Sequence, residues 1–319
     1  MARALRWGII GTGRIARTFA SDLSYIDDGI VAAVGSRTRS SAEDFAAEFG
    51  IEGAHGSYEE LVTDPRVDIV YVATPHPMHH VNARLALEAG KPVLVEKAFT
   101  MTVEEAIDLV ALARARRLFL MEAMWTRFLP HVVALREILR AGELGEIVAV
   151  IADHGKWFER DRASRLFAPD LGGSAMLDLG VYPVSFASMV LGTPRRVSAM
   201  VTPAFTGVDA TASAILGYDS GAQAIITCTS SARSATRASV VGTLARVEIE
   251  GDFYAPSSLT VISRTGEARR HDFMTQGRGL QYQASHVAER LAAGRTESDV
   301  MPLDESVAIM RTMRQIMDA

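Results

Sequence analysis

From Arg6 to about Trp125 the chain alternates short apolar runs with amphipathic stretches of helical period, the way a parallel sheet covered on both faces is written. The runs Arg6–Ile10, Val31–Gly35, Asp68–Ala73, Val93–Val95 and Leu118–Met121 predict its strands. Helix ends between them are marked. Ser57 with Glu60, and Thr102 with Glu105, have capping-box spacing, and Gly90 follows the helical Val81–Ala89 as a left-handed stop. Past Trp125 the texture changes to a helix over His131–Arg140, a strand over Ile147–Ala152 and a helix after the Gly172-Gly173-Ser174 turn. Strands then dominate: Val197–Pro203, Thr211–Tyr218, Ala222–Thr229, Ser239–Val241, Arg246–Glu250 and Leu259–Arg264. Asp219-Ser220-Gly221 and Thr265-Gly266 read as hairpin turns, and helices over Leu280–Ala293 and Leu303–Met317 close the chain. The pattern predicts an α/β domain over residues 1–124 and an α+β domain over residues 125–319, the second with an antiparallel sheet packed on helices.

Composition narrows the function classes. At 319 residues, with 48% hydrophobic and 22% charged positions, the chain is ordinary globular material with room for two cores. A net charge of −5 without a block of Lys or Arg offers no footprint for nucleic acid or an anionic membrane, so the expected partner is a small molecule. Cys228 is the single cysteine, which leaves neither an intrachain disulfide nor a cysteine-built zinc site. With no signal-peptide pattern after Met1 and no run of about 18 apolar residues, the expected location is the cytoplasm, without a membrane partner.

The first chemistry lies in WGIIGTGRIA. Gly11, Gly13 and Ala16 form a G-x-G-x-x-A fingerprint directly after a strand, where backbone amides and a helix N-terminus favour a pyrophosphate. Such glycines elsewhere often serve only a turn; their place at the first strand of an alternating unit favours the dinucleotide. The second strand ends at Ser36 and Arg37, 26 positions after Gly11. A small residue and an Arg suit the 2′-phosphate of NADP, whereas NAD sites usually offer an acid there. Arg39 is near enough to assist, although a loop Arg is more often simply solvated.

Ligands of an open α/β sheet collect at the carboxyl ends of its strands. Thr74–His79 and the Glu96-Lys97 pair both fall at that edge. For Glu96-Lys97 the alternative is a surface ion pair. In GGSAMLDLGVYPVSF, a helix begun at Ser174 puts Asp178 and Tyr182 four apart on one face, with Pro183 bending it. Here the alternative is a core tyrosine beside a local acid. A phenol of unperturbed pKa about 10 becomes a useful acid/base when an ammonium stabilises its phenolate. His76, His79 and His80 are dense enough to suggest a metal, but Pro75 and Pro77 break helical presentation and no acid lies close, so no metal is expected.

Gly11-Thr12-Gly13-Arg14-Ile15-Ala16, Glu96-Lys97, Trp125-Thr126-Arg127-Phe128 and Leu177-Asp178-Leu179-Gly180-Val181-Tyr182 resemble the glucose-fructose oxidoreductase, inositol dehydrogenase and MocA superfamily. The likeness is greatest to its dimeric trans-dihydrodiol dehydrogenase and NADP-dependent D-xylose dehydrogenase branch. It covers essentially the whole chain. The resemblance implies a Rossmann doubly wound parallel sheet followed by a domain with a large, mostly antiparallel open sheet that often forms a homodimer. It implies Tyr182 as proton donor or acceptor, Lys97 holding the phenolate and substrate hydroxyl, and Asp178 orienting substrate. Gly11, Thr12, Gly13, Arg14, Ile15, Ser36 and Arg37 would bind the nucleotide. Thr74, Pro75, His76, His79, Glu96, Lys97, Trp125 and Arg127 would line its nicotinamide and ribose end. Asp178 and Tyr182 would meet substrate in a pocket built from residues such as Trp125, His154, Lys156, Trp157, Tyr254 and Phe273; His154 and Lys156 are polar enough to suit a hydroxylated ligand, the alternative for each being a solvated loop residue. One departure is Ala98, where the superfamily usually has proline after Glu-Lys, which puts the rigidity of that turn in question.

The expected activity is hydride transfer between NADP and a sugar or cyclic vicinal diol, with NAD the second choice of cofactor. A keto- or anhydro-sugar reductase on the same scaffold and a non-catalytic nucleotide-sensing regulator are the alternatives. Retention of both Lys97 and Tyr182 argues against the regulator.

Overall fold

A computed structural model describes residues 3–319; Met1 and Ala2, within the expected first domain, lie outside the described residues. The chain forms two compact units. One takes the residues up to Trp125 together with Gln276–Val307, the other Thr126–Thr275 with Ala308–Ala319. The first division falls between Trp125 and Thr126, and each unit is built from two separate segments, so Gln276–Val307, expected in the second domain, groups with the first.

In the first unit the elements follow as β1 (Leu5–Ile10), α1 (Arg14–Leu23), β2 (Gly29–Gly35), α2 (Arg39–Phe49), β3 (Gly53–His55) and α3 (Tyr58–Thr63). Then come β4 (Ile69–Val72), α4 (His79–Glu88), β5 (Val93–Glu96), α5 (Val103–Arg116) and β6 (Leu120–Ala123). They build a six-stranded sheet in the order β3-β2-β1-β4-β5-β6, parallel throughout. All residues of β4, β5 and β6 are buried, as strands covered on both faces must be. Phe19 stands edge-on to Trp7 at 5.1 Å and stacks on Tyr71 at 4.1 Å, locking α1 to β1 and β4. The capping signals act as read, with one shift: Ser57 and Thr102 accept from Glu60 N and Glu105 N, while the two glutamates reach back to Gly56 N and Met101 N, one residue before each cap.

The second unit contains α6 (Pro130–Arg140), β7 (Ile147–Gly155), α7 (Val181–Leu191), β8 (Arg196–Pro203), β9 (Asp209–Gly217) and β10 (Gln223–Thr229). β11 (Ala238–Gly242), β12 (Ala245–Ile249), β13 (Leu259–Ser263) and β14 (Ala268–His271) complete an eight-stranded sheet, β14-β13-β12-β11-β7-β10-β9-β8. Only β7 and β10 pair in parallel. α7 packs on β7 and β10. By length and composition the helical stretch Pro169–Leu191 could cross a membrane, contrary to the sequence reading; 61% of its apolar window is buried inside the protein, the condition of a core helix.

α8 (Leu280–Ala292) belongs to the first unit. The carboxylate of Asp22, 2% exposed in the last turn of α1, accepts from Arg278 N at 3.0 Å and Leu280 N at 2.8 Å. One buried carboxylate thus satisfies orphan amides at the start of α8 and ties that returning segment to the Rossmann sheet. α9 (Leu303–Met317) follows.

Candidate active site

The carboxyl edge of the parallel sheet gathers residues expected at the nucleotide site. Gly11 has φ +106°, a region L side chains rarely adopt, and a Cβ there would sit 2.9 Å from the Ala73 carbonyl oxygen. Gly13 is different: its φ of −76° is ordinary, and a Cβ would meet nothing within 4 Å. It is the N-cap of α1 and carries no side-chain cap, so its backbone lies open at a helix N-terminus. That open cradle fits a pyrophosphate. Past β2, Ser36 is buried and Arg37 exposed. Burial raises the Tyr58 phenol above its ordinary value and the Arg37 guanidinium opposes the rise, which puts Arg37 beside the start of α3. Arg39, expected to assist, has its guanidinium bonded to Glu60 at 2.9 Å and to the Ala54 carbonyl at 3.2 Å.

Beyond β4, Asn82 donates to the Thr74 hydroxyl at 3.1 Å. His79, 1% exposed, sets its two ring nitrogens 2.8 Å from the Ala98 carbonyl oxygen and 2.9 Å from that of Thr74. It clips the loop after β4 to the loop after β5. Burial, with the Lys97 charge assisting, pushes His79 down to about 4, so the ring is neutral at pH 7. A neutral imidazole has one N–H, so only one of the two carbonyls receives a hydrogen bond. Ala98, where proline was expected, is fully buried, and the Lys97–Ala98 peptide is cis. Glu96, 5% exposed, accepts a short hydrogen bond from the Tyr71 hydroxyl, while Lys97 is half-buried at the strand's exit. His80 pairs with Asp108 at 2.8 Å on the surface of α4 and α5. Trp125, 3% exposed, carries the Arg278 guanidinium 5.7 Å from its ring centre.

The second unit assembles its own cluster. Tyr182, 7% exposed, lies in the first turn of α7, 4.7 Å from the Tyr254 ring and 5.3 Å from the His154 ring. His154 stacks on Tyr254 at 4.4 Å. Lys156 Nζ donates to the Tyr254 hydroxyl and lies 4.8 Å from the same ring. Asp178 and Tyr182 are not on one uninterrupted α-helix: Asp178 lies in a π turn, Met176–Gly180, that precedes α7. Pro183 has no N–H for the Leu179 carbonyl, and the chain widens where that bond is missing. His154 Nδ1 contacts that carbonyl at 3.1 Å. A carbonyl only accepts, so Nδ1 carries a proton.

Three contacts that fasten this helix and the π turn before it were not anticipated from the sequence. Asp209, buried on β9, accepts from Met176 N at 2.6 Å; burial raises its carboxyl above the ordinary range. Arg165 meets Asp178 at 3.1 Å. Arg127, expected beside the nicotinamide, is 2% exposed and directs Nε and Nη2 to Ser185 Oγ and O at 3.1 and 2.9 Å, anchoring α7. Trp157, by contrast, is 66% exposed. The Cys228 thiol is buried and pushed up to about 12, too high for a nucleophile near neutral pH.

A parallel sheet ending in an open glycine cradle, followed by a mixed sheet bearing a buried tyrosine, defines a two-part nucleotide-dependent oxidoreductase. The chain belongs to the GFO/IDH/MocA oxidoreductase family: residues 5–124 match its NAD-binding Rossmann-fold model, and residues 132–248 its C-terminal domain. It is 39% identical to a trans-1,2-dihydrobenzene-1,2-diol dehydrogenase of Bos taurus, over 99% of this chain and 97% of that protein. It is 36% identical to a D-xylose 1-dehydrogenase (NADP(+)) of Hypocrea jecorina, over 98% of this chain and 90% of the other. Among solved structures, an aldose-aldose oxidoreductase from Caulobacter crescentus complexed with glycerol superposes with TM-score 0.91 at 26% identity, covering 99% of this chain and 97% of its own.

Proposed function

We propose that this enzyme is an NADP-dependent dehydrogenase of an aldose or a cyclic vicinal diol, with Tyr182 as the acid/base. The observation that carries the reading is the buried Tyr182, packed against Tyr254 and His154 at the head of a helix whose preceding π turn is fastened by Asp209. The dehydrogenase relatives support the substrate class. A bound nicotinamide would supply the hydride acceptor for oxidation of the carbinol carbon, and the hydride donor for the reverse reaction. Tyr182 accepts the hydroxyl proton in oxidation and donates it in reduction. Lys97 favours the phenolate and holds the substrate oxygen, and Asp178 orients the neighbouring hydroxyl. Gly11, Gly13 and the amides of Thr12, Arg14 and Ile15 hold the pyrophosphate, and Ser36 with Arg37 takes the 2′-phosphate. Tyr182→Phe and Lys97→Met should each lower turnover by about 10²-fold or more while NADPH binding, followed by nicotinamide fluorescence, stays within a few-fold; wild-type turnover in either variant removes that residue from the mechanism.

The enzyme acts as a homodimer through its large sheet. Ile151, Ile225 and Ile215 are cross-strand neighbours on one face and are 46%, 44% and 50% exposed. Met200, at 81% exposure, belongs to β8 on the same sheet. An apolar row of this kind is the core of an interface. Light scattering of wild type and Ile225→Lys should give a dimer and a monomer; a monomeric wild type refutes it.

A further inference from the structure

The loop that leaves β7 carries Lys156, Arg160, Arg162 and Arg165 within ten residues, against Glu159 and Asp161. Both ends of this basic stretch engage the Tyr182 cluster: Lys156 bonds the Tyr254 hydroxyl and Arg165 pairs with Asp178 at 3.1 Å. Between them, the guanidinium carbons of Arg160 and Arg162 lie 4.8 and 5.6 Å from the centre of one ring, Phe205, in the turn between β8 and β9. Phe205 packs against Phe167 at 5.1 Å, and four residues further on Asp209 fastens the turn that bears Asp178. The ring is therefore a fixed shelf.

Two like charges held within about a Debye length of each other repel. Among the described residues neither guanidinium pairs with a carboxylate, and Asp161 turns its own to Ala163 N at 2.9 Å. An anion placed between them relieves the repulsion and accepts bidentate hydrogen bonds from planar donors already oriented by the ring. We propose that Arg160 and Arg162, presented on Phe205, bind an anionic substituent of the substrate, so that the preferred substrate is a sugar bearing a phosphate or carboxylate group. The inference rests on the reading of Tyr182 as the catalytic acid/base.

The test is steady-state oxidation of D-glucose, D-glucuronate and D-glucose 6-phosphate by wild type and by Arg160→Ala/Arg162→Ala, with calorimetric titration of D-glucose 6-phosphate into both. At low ionic strength an anionic sugar should exceed D-glucose about tenfold or more in kcat/KM, and the advantage should shrink at ~200 mM salt. The double variant should lose that advantage while oxidising D-glucose within about twofold of wild type. Preference for D-glucose 6-phosphate alone assigns the site to phosphate, and equal gains with D-glucuronate assign it to any oxyanion. Equal kcat/KM for all three sugars, or an advantage that survives in the double variant, overturns the proposal. If no sugar turns over, the titration decides: binding lost in the double variant keeps the anion site and counts against the Tyr182 reading, whereas no binding overturns the site.

Discussion

Gly11 and Gly13 stand two residues apart in one fingerprint, yet the structure gives them different tasks that alanine substitution separates. Gly11→Ala forces an L side chain to φ +106° and drives a Cβ to 2.9 Å from the Ala73 backbone oxygen, which no side-chain motion relieves. The conformational strain alone is about 1–3 kcal/mol, and the backbone contact adds to it. Gly13→Ala meets neither obstacle, because φ is −76° and 4 Å around the new Cβ is empty. Replacing a glycine N-cap by alanine should lower stability by under ~1 kcal/mol. The added methyl does, however, fill the approach to the α1 amides, so NADPH affinity should fall by about tenfold or more, equivalent to ~1.4 kcal/mol. Denaturant unfolding and fluorescence titration on both variants check this. A Gly13→Ala protein that binds NADPH like wild type, or one destabilised as much as Gly11→Ala, refutes the placement of the pyrophosphate on this cradle.

Arg37→Ala should weaken NADPH about tenfold or more and leave NADH within about twofold, because only the former carries the 2′-phosphate; equal losses on titration would refute the assignment. Asp22→Ala should lower unfolding free energy by about 2–3 kcal/mol in urea, since it orphans buried amides at the start of α8. Stability should also fall with acid in two stages. His79 has a folded value of about 4, below its ordinary 6.5, so the unfolded chain binds a proton first and stability declines as pH drops from about 6.5 to 4. Asp64, held far below the carboxylate range chiefly by hydrogen bonds from Arg66, contributes stability above pH ~4 that is lost on further acidification. Thermal melts of His79→Gln and Asp64→Asn across pH 3–8 should show the corresponding stage flattened.

Much of the fold was readable because each long element carries its own period. Strands with buried faces, such as Val93–Glu96 and Gln223–Thr229, begin or end within a residue or two of the expected positions. The strands that escaped notice are edge strands of three and four residues: β3, Gly-Ala-His, and β14, Ala-Arg-Arg-His, whose residues hold no apolar alternation. The nucleotide cradle was legible because it is local, a strand, two glycines and a helix in succession. The surroundings of Tyr182 were legible only in part. Tyr254 and His154 meet it from 72 and 28 positions away, and Asp209 fastens Met176 from another strand, contacts that register and sheet closure create and no short motif encodes. The π turn was half visible: Pro183 announced a break, but the widening of the preceding turn depended on its surroundings.

The most direct test of the central claim is reduction of NADP⁺ by the purified enzyme, followed at 340 nm, with a panel of aldoses and trans-diols offered to wild type and Tyr182→Phe side by side. The account predicts that at least one panel member reduces NADP⁺ faster than NAD⁺ with wild type, and that Tyr182→Phe binds NADPH yet loses nearly all of that rate. Equal rates in the two proteins, or a wild type that binds neither NADPH nor NADH, would contradict it.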